Sequence, residues 1–224
     1  MLRFVARLLT TVPSAEMSAV VRKRLQTQID EYRQAMAYTG DFPASRHNLG
    51  NLYSNMGQSE KAIENYRKAI EIDREFYPAK VNLAMVYNRM GENAAAERLL
   101  REVATAHPDL YDIKYSLGLL LAEEKKYAEA ADVLFQAAKG LPQRARIHYN
   151  LGLLLQQLQR DPEAENALKQ ALAIEPNQPE YAYALAVFYL QRQQFEKARQ
   201  FAEKMIAEPA SRSTGERLLT VIEQ

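Results

Sequence analysis

Apolar and small residues recur along this chain at a fixed interval of 34 residues. The series begins with Leu49-Gly50, and each later Leu-Gly or Leu-Ala pair follows without an insertion. The later pairs are Leu83-Ala84, Leu117-Gly118, Leu151-Gly152 and Leu185-Ala186, and an alanine lies twelve residues beyond each small residue, at 62, 96, 130, 164 and 198. Self-similarity at one period of this length is typical of repeat architectures, so the pattern predicts five consecutive structural units.

Within each unit the spacing of apolar residues predicts two helices. In the third unit one helical stripe consists of Leu117, Gly118 and Leu121, and a second consists of Ala130, Leu134 and Ala137. A polar turn at 123–126 separates the two stripes, and prolines at 108, 142 and 176 end the second helix of a unit. Small residues at Gly118 and Ala130 allow the two helices to approach closely. Each unit is therefore a helix hairpin that buries its apolar face against its neighbours.

The residues of these units resemble the tetratricopeptide repeat (TPR) pattern. The fourth unit reads HYNLGLLL…PEAENALKQALAIEP, with Leu151, Gly152, Ala164, Leu168, Ala171 and Pro176 at the signature positions. The usual Trp position departs from the pattern, since it holds Arg46, Lys80, Lys114, His148 and Ala182. The resemblance implies an all-α fold, a right-handed TPR α-solenoid of five helix-turn-helix repeats with extra N-terminal helices and a C-terminal capping helix.

The period also predicts the boundaries. The five repeats occupy 43–76, 77–110, 111–144, 145–178 and 179–212. Residues 1–42 form an N-terminal helical segment that we interpret as a degenerate preceding repeat, because 28–38 aligns with 62–72 at the same spacing. Residues 2–11 are predicted to form a further short helix with a faint similarity to HEAT repeats. Residues 213–224 are predicted to form the capping helix, whose start is marked by Ser213-Thr214-Gly215-Glu216.

Composition and charge exclude several classes of function. The 224 residues contain no cysteine and only three histidines, none of them four residues apart, so we expect no thiolate site, no helical His pair and no cofactor or metal. A formal net charge of +1 creates no overall field for nucleic acid or an anionic membrane. No apolar run approaches the ~18 residues of a membrane helix, and none near the N-terminus has the ~7 residues of a secretory signal.

The chain is not predicted to be an enzyme. Catalysis needs converging titratable groups, whereas the carboxylates here follow helix-surface patterns such as Glu71, Asp73 and Glu75. His148 is interpreted as a surface imidazole at the edge of a helix. The glycines occupy packing positions and form no phosphate-binding loop.

The resemblance instead implies a ligand groove lined by the first helix of each repeat. In TPR proteins this groove uses unit positions 2, 5, 6, 9, 12 and 13, and the predicted peptide-binding residues here are Asn48, Asn51, Asn82, Met85, Tyr115, Leu119, Tyr149, Asn150, Leu153 and Tyr183. Asparagine amides can hydrogen-bond the backbone of an extended peptide, much as in the asparagine ladder of O-linked N-acetylglucosamine transferases, and tyrosines supply amphipathic contact area. Alternatively, these residue types are common in TPR repeats of any function and also bond neighbouring units to each other.

Two charged features narrow the choice of partner. TPR co-chaperones bind the acidic C-termini of chaperones through a clamp of Lys, Asn and Arg, but the corresponding positions here hold Asp112 and Ser116 in one register and Val81 and Met85 in the other. The partner is therefore not expected to be an acidic chaperone C-terminus. The cation column Arg46, Lys80, Lys114 and His148 either binds an acidic segment or packs its stems with the charged heads in solvent, which is the reading we favour.

The leading hypothesis is a non-enzymatic scaffold whose groove holds an extended peptide or a partner's helix. An alternative is the accessory C-terminal repeat region of a larger enzyme, such as a multihaem cytochrome, with the catalytic part outside this chain. A third possibility is self-association through Leu119, Leu153 and Val187. The compartment is left open: cytoplasmic by default, or periplasmic if the sequence belongs to an exported chain.

Overall fold

The computed structural model describes residues 18–39 and 41–223, and within these ranges the chain forms twelve α-helices and no strand. The all-α fold predicted from the sequence is therefore confirmed. The additional helix predicted at residues 2–11 lies outside the described residues. The chain divides into two compact units, Met1–Glu124 and Lys125–Gln224.

The first unit contains α1 to α6. Their bounds are α1 Ala19–Thr39, α2 Pro43–Asn55, α3 Ser59–Ile72, α4 Tyr77–Arg89, α5 Asn93–Ala106 and α6 Tyr111–Glu123. Helix α2 packs most extensively against α3, and α4 packs against α5. Helices α3 and α5 also pack against the helix that follows each of them, so every hairpin is continuous with the next.

The second unit contains α7 to α12. Their bounds are α7 Tyr127–Gly140, α8 Ala145–Gln157, α9 Asp161–Ile174, α10 Pro179–Gln191, α11 Phe195–Ala207 and α12 Arg212–Ile222. The pairs α8 with α9 and α10 with α11 form hairpins, and α12 packs against α11 as the expected capping helix. Pro162 and Pro179 lie in the first turns of α9 and α10, where a missing N–H breaks no helical hydrogen bond.

Close helix approach in the hairpins depends on glycine and alanine. A Cβ atom added to Gly50 would lie 2.5 Å from Cε1 of Tyr66, and one added to Gly152 would lie 2.7 Å from Cγ of Leu168. The periodic alanines, Ala62, Ala96, Ala130, Ala164 and Ala198, have no exposed surface. Small residues at these positions therefore set the distance between the two helices of a hairpin, as the repeat pattern predicts.

The turn inside each hairpin has a left-handed residue at the same repeat position. The φ angles are 71° at Gly57, 81° at Gly91, 63° at Lys125, 59° at Gln159 and 57° at Gln193. At Gly57 the amide donates to the carbonyl of Ser54, and the next amide, of Gln58, donates to the carbonyl of Tyr53. This pair of bonds closes the end of a helix and requires positive φ. The column is not visible in the sequence pattern, because its last three members are not glycine.

Candidate peptide-binding site

The predicted groove residues lie on the first helices of the hairpins, and we call this surface of each unit its first-helix face. In the first unit the face is carried by α2, α4 and α6, with Asn48, Asn51, Asn82, Met85, Tyr115 and Leu119. In the second unit it is carried by α8 and α10, with Tyr149, Asn150, Leu153 and Tyr183. Residues three or four apart on a helix share one side, so each set projects from one side of its helix.

Two of the predicted asparagines bond to each other across the first unit. Nδ2 of Asn82 donates to Oδ1 of Asn51 at 2.7 Å, and the same nitrogen lies 2.8 Å from Nε2 of His47. The hydroxyl of Tyr66 donates to Oδ1 of Asn51 at 2.8 Å. An amide nitrogen has two protons and an amide oxygen has two lone pairs, so these bonds occupy both donors of Asn82 and both acceptor positions of Asn51. Among the described residues, the amino group of Asn51 and the side-chain oxygen of Asn82 have no hydrogen-bond partner.

The groups around this pair have shifted pKa values that keep the hydrogen bonds in place. Burial lowers the pKa of His47, an effect that its hydrogen bond with Asn48 opposes. The His47 ring lies between the rings of Tyr66, 5.9 Å away, and Phe76, 5.6 Å away. Burial raises the pKa of Tyr66 to about 12. At neutral pH His47 therefore accepts the Asn82 bond as a neutral imidazole, and Tyr66 stays a hydroxyl donor.

A second set of side-chain bonds joins the C-terminal ends of neighbouring first helices. These bonds run from Arg89 Nη2 to Ser54 Oγ at 2.6 Å, from Asn88 Nδ2 to Glu123 Oε2 at 2.9 Å, and from Gln156 Nε2 to Gln191 Oε1 at 2.6 Å. Each bond spans 35 residues and connects unit position 12 of one repeat with position 13 of the next. Part of the polar surface on the first helices therefore links neighbouring repeats, which is the alternative reading of the sequence pattern.

In the second unit an ion pair and two aromatic rings form the start of the first-helix face. Nη1 of Arg146 lies 2.7 Å from Oε2 of Glu180, and its guanidinium carbon lies 5.4 Å and 5.5 Å from the ring centroids of Tyr149 and Tyr181. The two rings are 5.1 Å apart. Burial, with a contribution from the Glu180 carboxylate, raises the pKa of Tyr149. Sequence reasoning missed Arg146 and Glu180, although both occupy unit position 2, which the family uses.

The predicted residues differ in how much surface they offer. Met85 and Tyr183 are each 42% exposed, and Asn48, Asn51, Asn82, Tyr115 and Leu153 are half-buried. Leu119, Tyr149 and Asn150 are buried. Asn48 donates to the hydroxyl of Tyr32 on α1 at 3.3 Å. A ligand on these faces would contact the exposed and half-buried members directly, with the buried members beneath them.

Most residues of the cation column at the usual Trp position of the repeat form ion pairs or hydrogen bonds within the chain. Arg46 binds both carboxylate oxygens of Asp41 at 2.5 Å, and Lys80 binds Glu102 at 2.6 Å. Nε2 of His148 lies 3.0 Å from the carbonyl oxygen of Pro142, and the residue is only 7% exposed. The prediction of a surface imidazole at His148 is therefore wrong, because α8 places the ring in a buried position against a backbone acceptor in the segment that precedes the helix.

Three family models described as tetratricopeptide repeat match the chain, over residues 43–76, over 81–146, and over 121–186 with 163–220. The chain belongs to the tetratricopeptide repeat family. The family assignment, predicted from the 34-residue pattern, is thereby confirmed. No curated protein matches the chain.

Solved structures of TPR proteins share this fold. The chain is similar to YrrB, described as a TPR protein with an unusual peptide-binding site, at 20% identity and a TM-score of 0.72, over 86% of this chain and 99% of that one. It is similar to PilF of Pseudomonas aeruginosa at 26% identity and a TM-score of 0.65, over 88% of this chain and 86% of that one. It is similar to MamA of Desulfovibrio magneticus RS-1 at 17% identity and a TM-score of 0.65, over 82% of this chain and 94% of that one. The repeats and these folds support a protein-interaction scaffold in general.

Within residues 18–39 and 41–223, no helix is both long enough and apolar enough to cross a bilayer.

Proposed function

We propose that this TPR protein is a non-enzymatic scaffold that binds an extended peptide or a partner's helix on its first-helix faces. The observation that carries the proposal is the hydrogen bond between Asn82 and Asn51. Because this bond and its neighbours orient both amides, the amino group of Asn51 and the carbonyl oxygen of Asn82 are presented as a donor and an acceptor.

A peptide backbone is the ligand that matches such a pair. In an extended peptide the N–H donor and the C=O acceptor of one residue point to the same side, so one residue can bond to Asn82 and Asn51 together whatever its side chain. The side chains of the ligand then require apolar contact area, and the exposed thioether of Met85, three residues after Asn82, supplies it. Preorientation lowers the entropic cost of binding, since neither amide has to be ordered by the ligand.

The second unit offers a different kind of contact. Tyr183 is 42% exposed on α10, and Leu153 is half-buried on α8. An amphipathic tyrosine ring beside an aliphatic side chain is suited to an apolar ligand side chain. The peptide-binding site of YrrB is compatible with this proposal, although at 20% identity that protein shares only the fold. The alternative, an accessory region of a larger enzyme, stays a prediction that the genomic sequence on either side of this reading frame tests.

The test is to remove the free donor without disturbing the network. In Asn51→Asp the carboxylate still accepts from Tyr66 and Asn82, whereas the amino group is lost. The control is Asn177→Asp, which adds the same charge at an exposed position in the turn before α10. Partners are captured with the tagged chain and quantified by mass spectrometry, and the thermal midpoint of each variant is measured.

We expect Asn51→Asp to keep its thermal midpoint and to lose at least one partner that the native chain and Asn177→Asp both retain. Full recovery of every partner by Asn51→Asp would remove the first-helix face of the first unit as the binding surface. Equal losses in both variants would assign the effect to charge and would also contradict the proposal.

A further inference from the structure

A pocket of about 480 Å³ lies between α1, α2 and α3 in the first unit. It is separate from the first-helix face: its walls come from other positions on α2 and from α1 and α3. The apolar part consists of Met36, Ala37, Leu49 and Tyr53, of which Leu49 and Tyr53 are 2% and 3% exposed. A volume of this size is in the usual range of small-ligand sites, roughly 300 to 1,000 Å³.

Charged side chains surround this pocket with an excess of cations. Four cations, Arg33, Arg46, Lys61 and Lys68, line it together with only two carboxylates, Asp41 and Glu64. Both carboxylates are already engaged, Asp41 by Arg46 at 2.5 Å and Glu64 by Lys68 at 2.6 Å. The hydrogen bond from Lys68 lowers the pKa of Glu64, and the charges of Arg46 and Arg33 add to this effect.

The two remaining cations are held beside an aromatic ring. The guanidinium carbon of Arg33 lies 5.8 Å from the ring centroid of Tyr53, and the ammonium of Lys61 lies 5.5 Å from the same centroid. Among the residues that the structure describes, neither Arg33 nor Lys61 forms an ion pair with a carboxylate within 4.0 Å. Cation–π contacts orient these groups without neutralising them, so both keep their capacity for an anion.

The next repeat shows that the fold does not require this cation excess. One period later Lys61 is replaced by Ala95, and Lys68 is replaced by Glu102, which pairs with Lys80 at 2.6 Å. Arg67, the counterpart of Arg33, donates to the hydroxyl of Tyr87 at 2.6 Å. One period later the same architecture therefore has no cation in place of Lys61 and holds the counterpart of Arg33 by a hydrogen bond, whereas Arg33 and Lys61 themselves are held by cation–π contacts.

We infer that this pocket, hereafter the α1–α3 pocket, binds the C-terminal residue of a peptide: its carboxylate by Arg33 and Lys61, and its apolar side chain against the accessible residues Met36 and Ala37. Guanidinium and ammonium groups form strong charge-assisted hydrogen bonds with carboxylates. A C-terminal residue joins an anion to an apolar side chain on one Cα atom, which is the combination that the pocket walls complement. This site is independent of the peptide backbone contacts proposed for the first-helix face.

The experiment uses the full chain and two fluorescein-labelled tetrapeptides of sequence Gly-Ser-Leu-Leu. One peptide has a free C-terminal carboxylate and the other is amidated, and binding is followed by fluorescence anisotropy. We expect the carboxylate peptide to bind at least tenfold more tightly than the amidated peptide, and the difference to shrink as ionic strength rises. Equal binding of the two peptides, or no binding of either, would overturn the inference.

Variants then locate the peptide. Arg33→Gln combined with Lys61→Gln should weaken binding of the carboxylate peptide about tenfold. Arg67→Gln combined with Arg98→Gln removes the same charge at two exposed positions outside the pocket lining and should not weaken it. Thermal melting establishes that each variant is folded, and Lys61→Gln alone serves if the double change unfolds the chain, since Lys61 is exposed. Equal loss in both double variants would place the peptide elsewhere and overturn the inference.

Discussion

The ring of Tyr66 occupies the space that a side chain at residue 50 would need. A Cβ atom on Gly50 would lie 2.5 Å from Cε1 and 2.6 Å from Cδ1 of that ring, distances that real Cβ contacts do not reach. Tyr66 is 2% exposed, and its hydroxyl is bonded to Asn51. The first hairpin therefore combines close packing with the hydrogen bond that orients the candidate site.

We expect Gly50→Ala to lower the free energy of unfolding by about 1–3 kcal/mol, because the ring has to move to admit the methyl group. One repeat later the equivalent positions hold Ala84 and Leu100. The cost of Gly50→Ala should therefore be smaller in a Tyr66→Leu background. Urea denaturation of the two single variants and the double variant measures this coupling, and strictly additive effects would contradict the steric explanation.

The left-handed column predicts stabilising substitutions. Gln159 and Gln193 have φ angles of 59° and 57°, a conformation that costs a residue with a Cβ roughly 1 kcal/mol more than glycine. We expect Gln159→Gly and Gln193→Gly each to raise the free energy of unfolding by about 0.5–1 kcal/mol. Gln170→Gly, at an exposed position inside α9, is the control and should lower it by a similar amount. Destabilisation by all three changes would show that the turn conformation is not the deciding factor.

Stability should depend on pH through His47. Burial lowers the pKa of His47 in the folded chain below its ordinary value of 6.5, so near this pH the unfolded chain binds more protons than the folded chain. The free energy of unfolding should consequently decrease as the pH falls from 7.5 through 6.5. His47→Gln removes the titrating group. The free energy of unfolding of this variant, measured by denaturation between about pH 5.5 and 8, should therefore change less with pH than that of the native chain. An unchanged slope would mean that other groups cause the dependence.

Tyr183 tests the first-helix face of the second unit. Its side chain is 42% exposed, so Tyr183→Ala should change the free energy of unfolding by no more than about 0.5 kcal/mol. If the ring contacts a ligand, the same change should reduce recovery of a bound partner, since exposed tyrosines contribute strongly to interfaces. Phe195→Ala on α11 is the matched control, because Phe195 is 46% exposed and lies outside the face. Partner recovery that falls equally in both variants would argue against a specific role for Tyr183.

The repeat pattern was sufficient to predict the hairpins but not the turn between their helices. The 34-residue columns of Leu, Gly and Ala locate α2 to α11, because these residues form the helix contacts. The left-handed column was missed since Lys125, Gln159 and Gln193 are residues that usually avoid positive φ. At Gln159 and Gln193 the two backbone hydrogen bonds that close the helix end outweigh the local preference.

Candidate site residues show the same division. Their place on the first helices follows from helical periodicity. Which of their polar atoms are already hydrogen-bonded within the protein does not follow from it. Asn51 and Asn82 were predicted as equivalent ligand-binding amides, whereas the structure shows that one uses its oxygen and the other its nitrogen in a shared bond. Ion pairs such as Arg146 with Glu180 were missed, because both partners are 34 residues apart and their contact depends on the packing of two repeats.

The sequence by itself determined the helices, the period and the family, because these depend on which residues are apolar and at what spacing. Only the tertiary structure decided which polar atoms of the described residues bond within the protein. The reason is physical: a hydrogen bond or a cation–π contact depends on distances of a few ångströms between side chains that are one repeat apart in sequence. At Arg33 and Lys61 that geometry leaves two positive charges at the α1–α3 pocket, although neither residue stands out in the repeat pattern.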